Sequence, residues 1–175
     1  MSAWHPSFTE VREMVNSEDF YQWIRRGTGP ERPGIPHKIR WAQGVHQGAD
    51  GSYADVHVDV NMNSQAGLWR RVNLLLYLNK NWQEEYGGHL ELWDKDTTTL
   101  RDKILPAHNR AIIFYTDDNS PHGVTKVNVP EGETRKSFSA IPDFYTEVGG
   151  GFRYRDSKFK SRPDDKLSKK LGNRH

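Results

Sequence analysis

Cysteine is absent from the 175-residue sequence. Disulfides, thiolate nucleophiles and cysteine-ligated zinc or iron–sulfur sites are therefore excluded, and any metal must be held by His, Asp or Glu. The sequence also lacks a run approaching the ~20 apolar residues of a membrane span, and its mean hydropathy is −0.89. Residues 1–5 lack a signal-peptide pattern. We therefore expect a cytoplasmic protein with no membrane partner.

Aromatic residues, by contrast, make up 11% of the chain and include six Trp, which is too many for a disordered polypeptide. The length fits one domain. The net charge of +2 is unevenly spread, because residues 151–175 contain nine Lys or Arg and three Asp. This run predicts a solvated basic tail. Binding of nucleic acid or of an acidic partner is the alternative. We expect no nucleic acid, because a basic run with scattered aromatics is weak evidence for base stacking.

Apolar spacing predicts two helices in the first part of the chain, one on either side of Ser17. A stretch with three Pro and three Gly, Gly27 to Pro36, then ends helical character. We therefore divide the chain into N-terminal helices and a linker that pack on the core (1–36), a β core (37–146) and the basic tail (147–175). The apolar positions on the two helical faces are Phe8, Val11, Val15, Phe20, Trp23 and Ile24.

Six runs in the predicted core have the pattern of short strands, and a seventh is expected at His122 to Val129. No helical pattern is interleaved with them, which favours a sandwich, a barrel or a double-sheet jelly roll. The segment Asn61 to Arg70 is expected to be either a lid over a pocket or a plain surface loop. The six runs are Ile39 to Val45, Tyr53 to Val60, Arg71 to Leu78, His89 to Trp93, Ala111 to Tyr115 and Arg135 to Ile141.

Alternation in the second run places Tyr53, Asp55, His57 and Asp59 on one face of the strand. A polar face that meets water is the ordinary interpretation. The alternative is that His57 and Asp59, about 7 Å apart along the strand, bind one cation. His122 follows a later apolar run and could complete a set of two His and one carboxylate, which holds a divalent metal on one triangular face.

Three further polar residues have two interpretations each. Arg135 is either an exposed residue at the rim of a sheet or a bidentate partner for a carboxylate. Tyr77 is either an ordinary core tyrosine or a hydroxyl group in an otherwise apolar wall. His46 is either a pocket residue or an ordinary strand histidine.

Five short motifs occur in one order along the predicted core, and together they are far more specific than each alone. The set resembles the Fe(II)- and 2-oxoglutarate-dependent oxygenases, and within them the prolyl-4-hydroxylase-like group of small free-standing bacterial and phage proteins. The resemblance covers Gly44 to Tyr145. The motifs are His57-x-Asp59, Tyr77-Leu78-Asn79, Gly87-Gly88-x-Leu90, Pro121-His122-x-Val124 and Arg135-x-Ser137.

The resemblance implies a mainly β fold with flanking helices, the double-stranded β-helix or jelly-roll, cupin-like barrel. It implies Fe(II), O2 and 2-oxoglutarate as cosubstrate, with ascorbate in support. The implied reaction hydroxylates an unactivated C–H bond, in a prolyl residue or an amino-acid-like small molecule, and releases succinate and CO2. The implied site residues are His57, Asp59 and His122 as catalytic iron ligands, Arg135 and Tyr77 on the distal carboxylate of 2-oxoglutarate, Leu75, Leu90 and Val124 around its carbon chain, and Ser137 near its distal end.

Two other interpretations remain open at this point. A cupin-like metal-dependent hydrolase or isomerase is one, because two His and one Asp can also hold zinc with a bound water. Arg135 argues against it, since such an enzyme has no stated need for a carboxylate partner. The other is a catalytically silent barrel that binds a partner through its basic tail.

Overall fold

The computed structural model describes residues 5–28, 43–64, 67–145 and 153–163. Helix α1 spans Pro6–Val15 and helix α2 spans Glu18–Thr28, as the apolar spacing predicts. The side chain of His5 caps α1 by accepting a hydrogen bond from the Ser7 N–H. Pro6 occupies the first turn, where its missing N–H leaves no hydrogen bond unmade. No helix in these ranges is long and apolar enough to cross a membrane.

Ten strands follow the helices in the described ranges, with one short 3-10 turn at Glu84–Tyr86. The strands are β1 Gly44–Gly48, β2 Ala54–Val58, β3 Met62–Asn63, β4 Leu68–Tyr77, β5 Leu90–Trp93, β6 Leu100–Ile104, β7 Ala111–Tyr115, β8 His122–Val124, β9 Arg135–Tyr145 and β10 Lys158–Phe159.

The strands form two open, antiparallel sheets. The first sheet has the order β1-β9-β4-β3, with β7 paired to β4, and the second has the order β10-β2-β8-β5-β6. The helices cover the first sheet, because Val15 packs with Leu74 of β4 and Phe138 of β9 in one buried cluster. Phe8 and Phe20 pack against the same cluster. The helices therefore support one sheet from outside.

The prediction that Asn61 to Arg70 forms a lid or a plain surface loop is wrong. Strand β3 and the first residues of β4 lie within it and pair as a hairpin, Met62 with Trp69 and Asn63 with Leu68. Met62 and Leu68 are buried, so apolar packing favours the paired form over an open lid.

Other strand limits also differ from the predictions. Strand β6 was not predicted, because four of its five residues are exposed and leave no alternation to detect. The predicted strand from His122 to Val129 ends at Val124. Residues 39–42 of the first predicted run lie outside the described residues, and β1 continues to Gly48.

A β-bulge changes which side chains of β2 face inward. The pairing of β2 with β8 shifts register between Ala54–Val124 and His57–His122. As a result Ala54, and not Asp55, lines the internal cavity with His57. Strict alternation, which placed Tyr53, Asp55 and His57 on one face, is therefore wrong for Asp55, because an extra residue inverts the pattern on one side of the bulge.

The expectation of a solvated tail does not hold for residues 153–163. Strand β10 pairs with β2, and the Lys160 N–H donates to the Val56 carbonyl at 2.7 Å. The rest of the predicted tail, residues 147–152 and 164–175, lies outside the described residues. The linker after residue 28 lies outside them as far as residue 42. The division at residues 36 and 146 stays a prediction.

Candidate functional site

Three side chains from two neighbouring strands meet inside the molecule. His57 lies on β2, Asp59 directly follows that strand, and His122 begins β8 opposite His57. One ligand atom from each of the three lies within 4.8 Å of the other two. The Nε2 atoms of His57 and His122 are each 3.5 Å from a carboxylate oxygen of Asp59. The structure thus brings together the three residues that the sequence singled out.

Both imidazole rings are held by the nitrogen that faces away from this cluster. The Nδ1 of His57 is 2.7 Å from the Asp55 carbonyl, and the Nδ1 of His122 is 3.0 Å from the Ser120 carbonyl. An imidazole that donates from Nδ1 in its neutral form has its lone pair on Nε2. Both rings therefore present a ligand nitrogen toward Asp59.

Two residues of β4 hold the carboxylate of Asp59. Asn73 Nδ2 donates to Oδ2 at 2.7 Å and Arg70 Nη2 donates to the same oxygen at 3.1 Å. Arg70 also donates to Asn73 Oδ1 at 2.7 Å, and its exposed fraction is only 7%. With Oδ2 occupied, Oδ1 is the oxygen that faces His57.

Charge and burial oppose each other at this cluster. Burial acts to raise the pKa of Asp59, but its hydrogen bond with His57 and the charges of Arg70 and His122 outweigh burial and hold that pKa well below its usual range. Burial lowers the pKa of His122. It acts in the same direction on His57, where bonding to Asp59 and to the Asp55 carbonyl instead raises the pKa overall. Asp59 is therefore a carboxylate at neutral pH.

The donor set fits a divalent first-row metal ion. It supplies two imidazole nitrogens and one deprotonated carboxylate, and it contains no thiolate. This is the combination that leaves the opposite coordination positions open for small ligands. The hydrogen bonds from Nδ1 and to Oδ2 fix the three groups before any ion is bound.

A cavity of about 430 Å³ contains this cluster and lies between the two sheets. Of the six residues predicted around a cosubstrate, all but Tyr77 line it, together with the three ligand candidates. His46 lines it as well, with its Nε2 3.2 Å from the Ser139 hydroxyl. The lining side chains predicted from the sequence are Leu75, Leu90, Val124, Arg135 and Ser137.

Arg135 brings a positive charge into this cavity. Its exposed fraction is 9%, its Nε donates to the Gly88 carbonyl at 2.7 Å, and its Nη2 donates to the Tyr77 hydroxyl at 3.4 Å. Tyr77 is fully buried and lies behind the guanidinium, with its ring centroid 5.1 Å from Cζ. Within the part of the chain that is described, no carboxylate lies within 4.0 Å of Arg135. A buried guanidinium with neutral partners alone favours an anionic ligand.

Gly88 leaves the space that the Arg135 side chain occupies. Its φ is +66°, in the region that favours glycine, and a Cβ at this position would lie 2.8 Å from Arg135 Cδ. The second glycine of the Gly87-Gly88 motif is therefore a packing requirement of the arginine.

The sequence did not identify Arg70 and Asn73 as neighbours of Asp59. Arg70 was assigned to a loop, and it reaches the cavity because β4 begins earlier and shifts register on both sides of Val72. Asn73 shares a strand face with Leu75 and Tyr77, which was the available signal. Arg70 also borders a second hollow of about 530 Å³, lined by residues that include Trp69 and Tyr154. It therefore connects the Asp59 carboxylate with a second open surface.

Comparison with known proteins shows which family the chain matches. Residues 43–141, more than half of the chain, match the model of the 2OG-Fe(II) oxygenase superfamily. No curated protein sequence gives a match.

Solved structures of prolyl hydroxylases are similar to the chain. A prolyl 4-hydroxylase from Phytophthora capsici is 20% identical with a TM-score of 0.55, over 74% of this chain and 41% of that one. The viral collagen prolyl hydroxylase of Paramecium Bursaria Chlorella virus-1, solved as a 2OG complex, is 15% identical with a TM-score of 0.50, over 85% and 77%. These two similarities confirm the predicted double-stranded β-helix fold.

A prolyl hydroxylase from Trichoplax adhaerens, solved with a hypoxia inducible factor oxygen degradation domain peptide fragment, is 28% identical with a TM-score of 0.45. That alignment covers 58% of this chain and 41% of the other. The chain thus spans less than half the length of the Trichoplax and Phytophthora proteins.

Proposed function

Because this chain belongs to the 2OG-Fe(II) oxygenase superfamily, we propose that it is an Fe(II)- and 2-oxoglutarate-dependent hydroxylase. The observation that carries the proposal is the combination of two groups in one cavity: the His57, Asp59 and His122 cluster, and the buried Arg135 without a carboxylate partner in the described residues. A hydrolytic metal site would account for the first group but not for the second.

His57 Nε2, His122 Nε2 and a carboxylate oxygen of Asp59 would hold the iron. When bound, Fe(II) supplies the oxidation of a substrate C–H bond by O2, coupled to conversion of 2-oxoglutarate to succinate and CO2. Arg70 and Asn73 keep Asp59 deprotonated and fixed through Oδ2. Their role is to position this ligand, since neither is itself a metal donor of the set.

Arg135 would bind the distal carboxylate of 2-oxoglutarate. Its Nε is committed to Gly88, so Nη1 and Nη2 are the donors that can form a pair of hydrogen bonds to a carboxylate. The Tyr77 hydroxyl accepts a hydrogen bond from the guanidinium and does not line the cavity, so we assign Tyr77 to the support of Arg135 and not, as the resemblance implied, to the cosubstrate carboxylate. Ser137 lies on the same strand as Arg135.

The apolar part of the cavity suits a short carbon chain. Leu75, Leu90 and Val124 line it from three strands, β4, β5 and β8. Apolar walls exclude water and strengthen the charge pairing at either end of the cosubstrate.

We place the substrate in the second hollow beside Arg70, since that residue borders both spaces. The proposed substrate class is a prolyl residue or an amino-acid-like small molecule, by analogy with the prolyl hydroxylases to which the chain is similar. Nucleic acid and membranes are not part of the proposal.

Succinate formation from 2-oxoglutarate with Fe(II), ascorbate and O2 tests the function, even in the absence of substrate. We expect formation by the wild-type protein and by the control D102A, which alters an exposed carboxylate of β6, and none by D59A. Succinate that persists in D59A would contradict the proposal. Equal succinate formation with Zn(II) in place of Fe(II) and without oxygen would also contradict the proposal, because this conversion is an oxidation that needs O2.

A further inference from the structure

The sheet that carries both histidines is irregular beside them. Between the Ala54–Val124 pair and the His57–His122 pair the register of β2 and β8 shifts by one residue. Gly123 is the single residue of β8 between those two pairs. A bulge disrupts the regular ladder, so the carbonyl groups of the bulged strand need other donors.

Residues 158–162 supply two of those donors. The Ala54 carbonyl accepts from Arg162 Nη2 at 3.2 Å, and the Val56 carbonyl accepts from the Lys160 N–H at 2.7 Å. The carbonyl between them, that of Asp55, lies 2.7 Å from His57 Nδ1. The backbone that orients His57 is therefore held on both sides by the C-terminal segment.

The guanidinium of Arg162 connects three strands. Besides Ala54 of β2 it donates from Nη2 to the Val124 carbonyl of β8 at 3.3 Å, and from Nε to Glu91 Oε2 of β5 at 2.7 Å. Glu91 is only 7% exposed. A Cβ on Gly123 would lie 3.1 Å from Arg162 Nη2, so the glycine leaves the space that the guanidinium uses.

We propose that Arg162 is a positioning residue for the metal centre, and this inference rests on the proposed function of that centre. By bridging β2, β8 and β5 at the bulge, Arg162 fixes the Asp55 carbonyl that orients the His57 ring. The same segment pairs Phe159 with His57, whose ring centroids are 5.8 Å apart. A competing role is simple neutralisation of Glu91, which would leave the metal site indifferent to Arg162.

Three variants of the full chain separate these roles. R162M removes every donor, and R162M/E91Q does so without leaving a buried carboxylate unpaired. K158M is the matched control, because Lys158 lies on the same segment with an exposed side chain. We would titrate each with Co(II) under argon as the metal probe, and measure amide hydrogen exchange of β2 and β8 in the metal-free proteins.

We expect Co(II) affinity to fall about 10- to 100-fold in both R162M variants, as for other residues that orient metal ligands. Exchange in β2 and β8 should be faster in both, and K158M should match the wild type. If R162M/E91Q has the Co(II) affinity and the amide exchange rates of the wild type, the proposal is overturned and the role of Arg162 is to neutralise Glu91. If R162M does not fold, the double variant decides. A wild-type protein that binds no Co(II) would refute the metal centre, while the exchange data still test the bridge.

Discussion

Replacing Arg135 by Met should separate cosubstrate binding from metal binding. In this buried cavity the lost pair of charge-assisted hydrogen bonds would cost about 2–5 kcal/mol of binding free energy. At about 1.4 kcal/mol per factor of ten, the Kd for 2-oxoglutarate would rise roughly 30-fold to several-thousand-fold. Metal affinity should change little, because none of the three ligand candidates is among the hydrogen-bond partners of Arg135.

The same substitution should not destabilise the ligand-free protein, although it weakens 2-oxoglutarate binding. Arg135 pairs there with the Gly88 carbonyl and, over a long 3.4 Å contact, with the Tyr77 hydroxyl. Removing a buried charge that no described carboxylate balances should leave the free energy of unfolding unchanged or higher.

The assay is isothermal titration of 2-oxoglutarate into protein saturated with Mn(II) under argon, beside a Mn(II) titration and a urea unfolding curve. R101M, which alters an exposed arginine of β6, is the control and should bind 2-oxoglutarate as the wild type does. Equal losses of Mn(II) and 2-oxoglutarate affinity in R135M, or an unchanged Kd for 2-oxoglutarate, would refute the role assigned to this residue.

Four further substitutions have defined outcomes. G88A and G132A should each lose about 1–2 kcal/mol of stability, because both glycines have positive φ (+66° and +85°). Only G88A should also weaken 2-oxoglutarate binding, because a Cβ at Gly88 would meet Arg135 whereas Gly132 has open space around it. Equal 2-oxoglutarate binding in the two variants would contradict the packing argument. N73L should weaken Mn(II) binding about 10- to 100-fold, because it removes the shorter of the two hydrogen bonds to Asp59 Oδ2 and leaves only that from Arg70. An unchanged Mn(II) titration would show that the bond from Asn73 is dispensable. F138A should cost about 3–5 kcal/mol in urea unfolding, because Phe138 is fully buried under the helices, and a loss below 1 kcal/mol would contradict that packing.

The main residues of the candidate site could be predicted from the sequence, because the patterns that reveal them are local. Alternation put His57 and Asp59 on one strand face, and the short motifs located His122 and Arg135. The structure brings the first three within 4.8 Å and buries the fourth in the same cavity. Their chemical roles stay predictions.

The residues that the sequence did not reveal depend on distant pairings. Arg70 contacts Asp59 only because a short hairpin and register shifts in β4 turn it inward. Arg162 lies in a basic stretch whose composition is typical of a solvated tail, yet its partner Glu91 is 71 residues away. Neither a bulge nor a contact across such a separation leaves a periodic pattern in the sequence.

The most direct test of the account is a crystal structure with Fe(II) and 2-oxoglutarate bound under argon. We expect one iron held by His57 Nε2, His122 Nε2 and Asp59, with the distal carboxylate of 2-oxoglutarate on the guanidinium of Arg135. An ion bound elsewhere, or a cosubstrate whose distal carboxylate lies away from Arg135, would contradict the account.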